Sequence, residues 1–146
     1  MDHAFCEQKA ASNAISIIVQ YTDLVQAMTA ICQEEMEHFD QVHSKLLERG
    51  LKLGIERIDQ YVNDLREFLR RNKTNSTPEG MFVNKMLFAA MIEARSCERF
   101  KILSEQLKDE DLKKFYRSLM ESEARHYTTF LGFARKYGNG INVDKC

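Results

Sequence analysis

Apolar residues recur along this chain every three or four positions and never alternate for long, a pattern that predicts helices and no sheet. One stripe runs through Leu24, Met28, Ile31, Glu35, His38, Val42 and Leu46, in steps of 4, 3, 4, 3, 4 and 4. Another runs through Leu112, Tyr116, Leu119, Glu123, His126, Phe130 and Phe133, and a shift of 88 residues superposes the two from Leu24 to Val42. Two further stripes carry Glu7, Ala10, Ala11, Ala14, Ile18 and Tyr21, and Phe82, Met86, Ala89, Glu93, Cys97 and Phe100. Each has the spacing of the core-facing seam of an amphipathic helix.

The breaks between stripes follow from turn and capping residues. A continuous helix over residues 1–49 would be about 74 Å long at 1.5 Å per residue, so it must fold back, and Tyr21-Thr22-Asp23 is the best break. Gly50 and Gly54 end the second helix, Thr77-Pro78 starts another with Thr as N-cap and Pro in the first turn, and Asp109 caps the last. The expected helices lie near 2–20, 23–49, 55–72, 78–107 and 110–137. Four of them form two hairpins with short turns, and the 55–72 helix occupies a connection long enough to cross the side of a bundle. The expected architecture is all-α, a four-helix bundle with an additional crossover helix, forming one domain over 1–137 with a C-terminal tail at 138–146 that frays.

Composition narrows the class. Six glycines and one proline in 146 residues are under half the usual share of roughly 12%, as a helical protein requires. The 29% of charged residues, balanced to a net charge of -1, fit a folded domain and exclude a strongly basic nucleic-acid binder. No apolar run approaches the ~20 residues of a membrane span, and the start Met1-Asp2-His3 is not that of a signal peptide. Cys6, Cys32, Cys97 and Cys146 form no CxxC pair, so they are expected as reduced thiols in the cytoplasm. The charge is uneven, at -6 for residues 1–44, +3 for 45–85 and +2 for 86–146. The basic middle, with Arg70, Arg71 and Lys73, is a candidate phosphate-facing strip.

The chemistry lies inside the stripes. Both matched stripes place Glu and then His, three apart, where a Leu would continue the seam, and the other two stripes carry Glu7 and Glu93. Measured from the two hairpin turns, Glu7, Glu35, His38, Glu93, Glu123 and His126 fall in one layer within about 6 Å of helical rise. Glu98 stands at another height, among Arg95, Lys101 and Ile102. Four buried carboxylates repel one another and need neutralising. Two divalent cations supply four positive charges, and the imidazoles complete a mixed oxygen and nitrogen shell with open positions, the pattern of di-iron and di-manganese bundles. Iron or manganese suits such ligands better than zinc. The alanines beside Glu7 and Glu93 leave room near the metals. His3 and His43 lie outside the stripes and are expected to face solvent, Glu34 and Glu37 to face water or back the ligands, and Tyr116 and Tyr127 to be core or interface residues.

The surroundings of these residues, Asp2-His3-Ala4-Phe5-Cys6-Glu7-Gln8-Lys9-Ala10-Ala11, Gln33-Glu34-Glu35-Met36-Glu37-His38-Phe39, Glu93-Ala94-Arg95-Ser96-Cys97-Glu98-Arg99-Phe100 and Glu121-Ser122-Glu123-Ala124-Arg125-His126-Tyr127, resemble the bacterial tRNA 2-methylthio-N6-isopentenyladenosine hydroxylases from Asp2 to about Tyr137. The resemblance implies a ferritin-like, non-haem di-iron fold whose metal ligands map onto the same six residues. It also implies a monooxygenase with two iron ions, in preference to manganese, and dioxygen as co-substrate. The implied reaction hydroxylates the isopentenyl group of the modified adenosine next to the tRNA anticodon. Family members extend further at both ends.

No flavin or nicotinamide motif is present, so the electrons are expected from an external reductase, with tRNA as substrate and no membrane partner. A rubrerythrin-like or ferritin-like peroxidase or iron-handling protein is the alternative, weakened by the absence of rubredoxin-type Cys pairs. A non-catalytic helical module is the third reading. Two bound cations would leave the chain mildly basic, which removes the objection that near-neutral charge raises against an RNA partner.

Overall fold

The computed structural model describes residues 2–55, 59–71 and 76–145. Among them are five α-helices and no strand: α1 (Asp2–Gln20), α2 (Val25–Glu48), α3 (Gln60–Arg70), α4 (Pro78–Gln106) and α5 (Glu110–Tyr137). The chain divides into two compact units, residues 1–58 and 59–146. Lys73 and Cys146 lie outside the described residues.

In the first unit α1 and α2 pack as a hairpin. The break falls where expected, at Tyr21, but α2 begins at Val25 rather than at 23. A single 3-10 turn over Thr22–Leu24 leads into α2, and its backbone closes the corner with Tyr21 N–H donating to Ile17 O at 2.8 Å and Leu24 N–H to Tyr21 O at 3.0 Å. The buried seam holds Ala4, Glu7, Ala11, Ala14 and Ile17 on α1 against Met28, Ile31, Glu35, His38 and Val42 on α2. Ile17, fully buried, takes the place expected of Ile18, which is half-buried. α2 ends where Gly50 adopts φ +67°. There Leu51 N–H donates to Leu46 O and Gly50 N–H to Leu47 O, both at 2.9 Å, a Schellman closure that a left-handed glycine permits.

In the second unit α4 packs along α5 and α3 lies on α4. Thr77 Oγ1 accepts from Gly80 N–H at 3.0 Å with Pro78 opening the helix, and Asp109 Oδ1 accepts from Asp111 and Leu112 N–H at 3.0 and 3.1 Å. These caps set the starts of α4 and α5 at the positions read from sequence. The helix expected from 55 begins instead at Gln60, because Asp59 caps it and is held by Arg95, whose Nη1 lies 3.2 Å from Asp59 Oδ1 and whose guanidinium stacks 4.0 Å over the Tyr61 ring. Residues 56–58 of that expected helix are outside the described residues. The tail does not fray throughout. Ile141 N–H donates to Gly138 O, Val143 is buried in a 3-10 turn (Val143–Lys145), and Arg135 pairs with Asp144 at 2.7 Å.

Candidate metal centre

The hairpin of α1 and α2 turns Glu7, Glu35 and His38 into its own seam. Their relative exposures are 2, 0 and 7%, and each offers one ligand atom within 4.8 Å of those of the other two. His38 Nδ1 stands 3.7 Å from Glu35 Oε2 and 3.9 Å from Glu7 Oε2. Local sequence explains this convergence. Glu35 and His38 are three apart on one helix face, and the seam that buries Ile31 and Val42 carries both inward.

The pair α4 and α5 repeats the arrangement. Glu93, Glu123 and His126 are 4, 1 and 3% exposed, and their ligand atoms also lie within 4.8 Å of one another. Phe130 and Leu119 flank the Glu-x-x-His pair on α5, while Ala89 and Ala90 make the α4 surface beside Glu93 small, all buried. Glu98 is exposed, as its different height predicts. Cys97, one turn beyond Glu93, donates weakly to the Met120 carbonyl at 3.6 Å. Burial and then the nearby charge of Glu123 push its thiol above the ordinary cysteine range.

All six side chains singled out by the stripes are therefore buried, three in each unit. Sequence reasoning missed His3. Its side chain is only 11% exposed, and Nε2 lies 2.5 Å from Glu7 Oε1. The available signal was its place one helical turn before Glu7, on the face that continues the α1 seam. His43 packs on Phe39, with ring centroids 6.2 Å apart. Glu37 is exposed and Glu34 half-buried, and Tyr116 packs against Phe100 and Phe115.

Each half thus presents two carboxylates and one imidazole away from water, with no thiolate in either group. Oxygen and neutral nitrogen donors with this excess of negative charge suit a divalent first-row cation of the iron or manganese kind. The burial cost of paired carboxylates is what such a cation offsets.

Comparison with known proteins places the chain among its relatives. The chain is 38% identical over 149 residues to the tRNA 2-(methylsulfanyl)-N(6)-isopentenyladenosine(37) hydroxylase of Pseudomonas putida, an alignment covering all of this chain and 70% of that protein. It is 35% identical over 113 residues to the Salmonella typhimurium protein of the same name, with 77% of this chain and 40% of that one covered. Among solved structures it resembles "Protein 43 with aldehyde deformylating oxygenase activity from Synechococcus", with a TM-score of 0.83 and 34% identity over 92% of this chain and 66% of that one. The fold class is all-α and ferritin-like. Residues 1–146 match the family profile described as tRNA-(MS[2]IO[6]A)-hydroxylase (MiaE), and with the identity to the P. putida enzyme this shows that the chain belongs to that family of tRNA hydroxylases.

Proposed function

We propose that the protein is an O2-dependent di-iron monooxygenase that hydroxylates the isopentenyl group of 2-methylthio-N6-isopentenyladenosine next to the tRNA anticodon, in the cytoplasm, with electrons from a separate reductase. The observation that carries the reading is the twofold repeat of two buried carboxylates with one imidazole in a chain of this family. Glu7, Glu35 and His38 with Glu93, Glu123 and His126 would together hold two iron ions, the two hairpins acting as one domain. The oxygenase activity named for the structural neighbour points to the same class of chemistry.

Two reduced iron ions with dioxygen supply the oxidising power to place an oxygen atom on an unactivated C–H bond. The chain supplies the rest. Four carboxylates against two divalent ions leave the site formally neutral, and the helix seams that bury the ligands keep bulk water out. His38 and His126, three residues after Glu35 and Glu123, are fixed on the same helix faces as those carboxylates. Ala11, Ala14, Ala89 and Ala90 keep the adjacent helix surfaces small.

The test is a single turnover. Anaerobically reduced, iron-loaded protein is mixed with tRNA carrying the modified adenosine and then exposed to oxygen, and the nucleosides are analysed by mass spectrometry. A gain of one oxygen atom on the isopentenyl group is expected. Peroxide turnover or uptake of many irons per chain, with no hydroxylated nucleoside, would overturn the reading in favour of iron handling.

A further inference from the structure

The two halves of the candidate centre differ one helical turn before the first carboxylate. On α1 the side chain one turn before the carboxylate is His3, whose Nε2 lies 2.5 Å from Glu7 Oε1. On α4 the corresponding place, one turn before Glu93, is Ala89, 2% exposed and carrying only a methyl group. At such a distance the imidazole and the carboxylate oxygen are in direct contact, and each limits where the other can turn. The two oxygens of Glu7 are thereby divided. Oε1 is engaged by His3, and Oε2 is the oxygen turned to α2, 3.9 Å from His38 Nδ1. His3 itself is not among the side chains whose ligand atoms converge within 4.8 Å; it touches Glu7 from one turn earlier on the same helix.

A carboxylate held through one oxygen has already lost the rotamer freedom that binding would otherwise remove, and it presents a single oxygen in a set direction. Outer partners of this kind orient ligands and raise their affinity. We propose that His3 is a positioning residue that holds Glu7 by Oε1 and makes the Glu7, Glu35 and His38 position the tighter of two unequal metal positions. The inference rests on the metal-site reading above.

Full-length metal-free protein is titrated anaerobically with cobalt(II), followed by its visible absorption, and in parallel with ferrous ion. Two unequal steps are expected for the unsubstituted chain. His3→Ala should weaken the tighter step by about 10- to 100-fold while leaving the weaker step and the melting temperature of the metal-free protein close to their original values. His3→Gln, which keeps an N–H donor on a side chain of similar reach, should restore part of the loss. Unchanged affinities in His3→Ala would overturn the proposal, whether or not the metal-free protein melts earlier. Loss of a whole equivalent of metal would overturn it too, by making His3 a ligand. An unsubstituted chain that takes up no metal would instead sink the site reading, and the role of His3 with it.

Discussion

Glu35 shows what a candidate ligand costs its own fold. It has no exposed surface, sits in a seam with Met28 and Ile31, and shares its surroundings with the carboxylate of Glu7. Burying like charges together is unfavourable, so a neutral side chain of the same shape relieves the repulsion between neighbouring carboxylates. Glu35→Gln is therefore expected to raise the melting temperature of the metal-free protein while reducing the further rise produced by ferrous ion. A lower melting temperature in the metal-free state would mean that the charge serves a structural partner. Glu35, Glu123 and their histidines were legible in sequence because a polar pair interrupts an otherwise apolar period of three and four. His3 was not, because it lies beyond the last residue counted in the α1 stripe and its value depends on where one side chain turns.

Helix ends were legible wherever a side chain caps them. Thr77 and Asp109 set α4 and α5 as expected, whereas the corner after Tyr21 closes through backbone hydrogen bonds with no capping side chain, which no residue type announces. Two predictions belong to this scale. A Cβ on Gly138 would meet the Ala134 carbonyl oxygen at 2.6 Å and Val83 Cγ2 at 3.0 Å, while one on Gly132 meets nothing within 4 Å. Gly138→Ala should cost about 1–3 kcal/mol by overpacking, and Gly132→Ala in mid-helix should add up to ~1 kcal/mol, both read from denaturant midpoints. On α3 the guanidinium groups of Arg70 and Arg71, each with Nε 2.9 Å from a Glu67 oxygen, hold that carboxyl below its ordinary range. A lowered folded value means support that is present above the unfolded pKa and lost as pH falls through the folded one. Amide exchange in α3 should accelerate across that acid range, after correction for intrinsic rates, and Glu67→Gln should remove the pH dependence. The same pairs occupy both arginines that the sequence offered as a phosphate-facing strip.

For the whole molecule the clearest expectation is linkage. A cation that binds only the folded chain stabilises it by about 2.7 kcal/mol at a hundred times Kd, and so raises its melting temperature with concentration. Ferrous ion should therefore stabilise the protein and a chelator should reverse the effect, and no shift at saturating iron would favour a helical module without a working site. No helix among the described residues is long and apolar enough to cross a membrane. The matched parts cover 70% and 40% of the two curated relatives, so activity on tRNA must be measured on this chain itself. By itself the sequence determined the helical class, the seams and the six polar residues within them, because those properties repeat along a single helix and need only its period. Tertiary structure alone decided that Ile17 rather than Ile18 fills the α1 seam, that Arg95 pins the start of α3 and that Asp144 anchors the tail. Each of these depends on a side chain finding a partner in three dimensions, which periodicity does not encode.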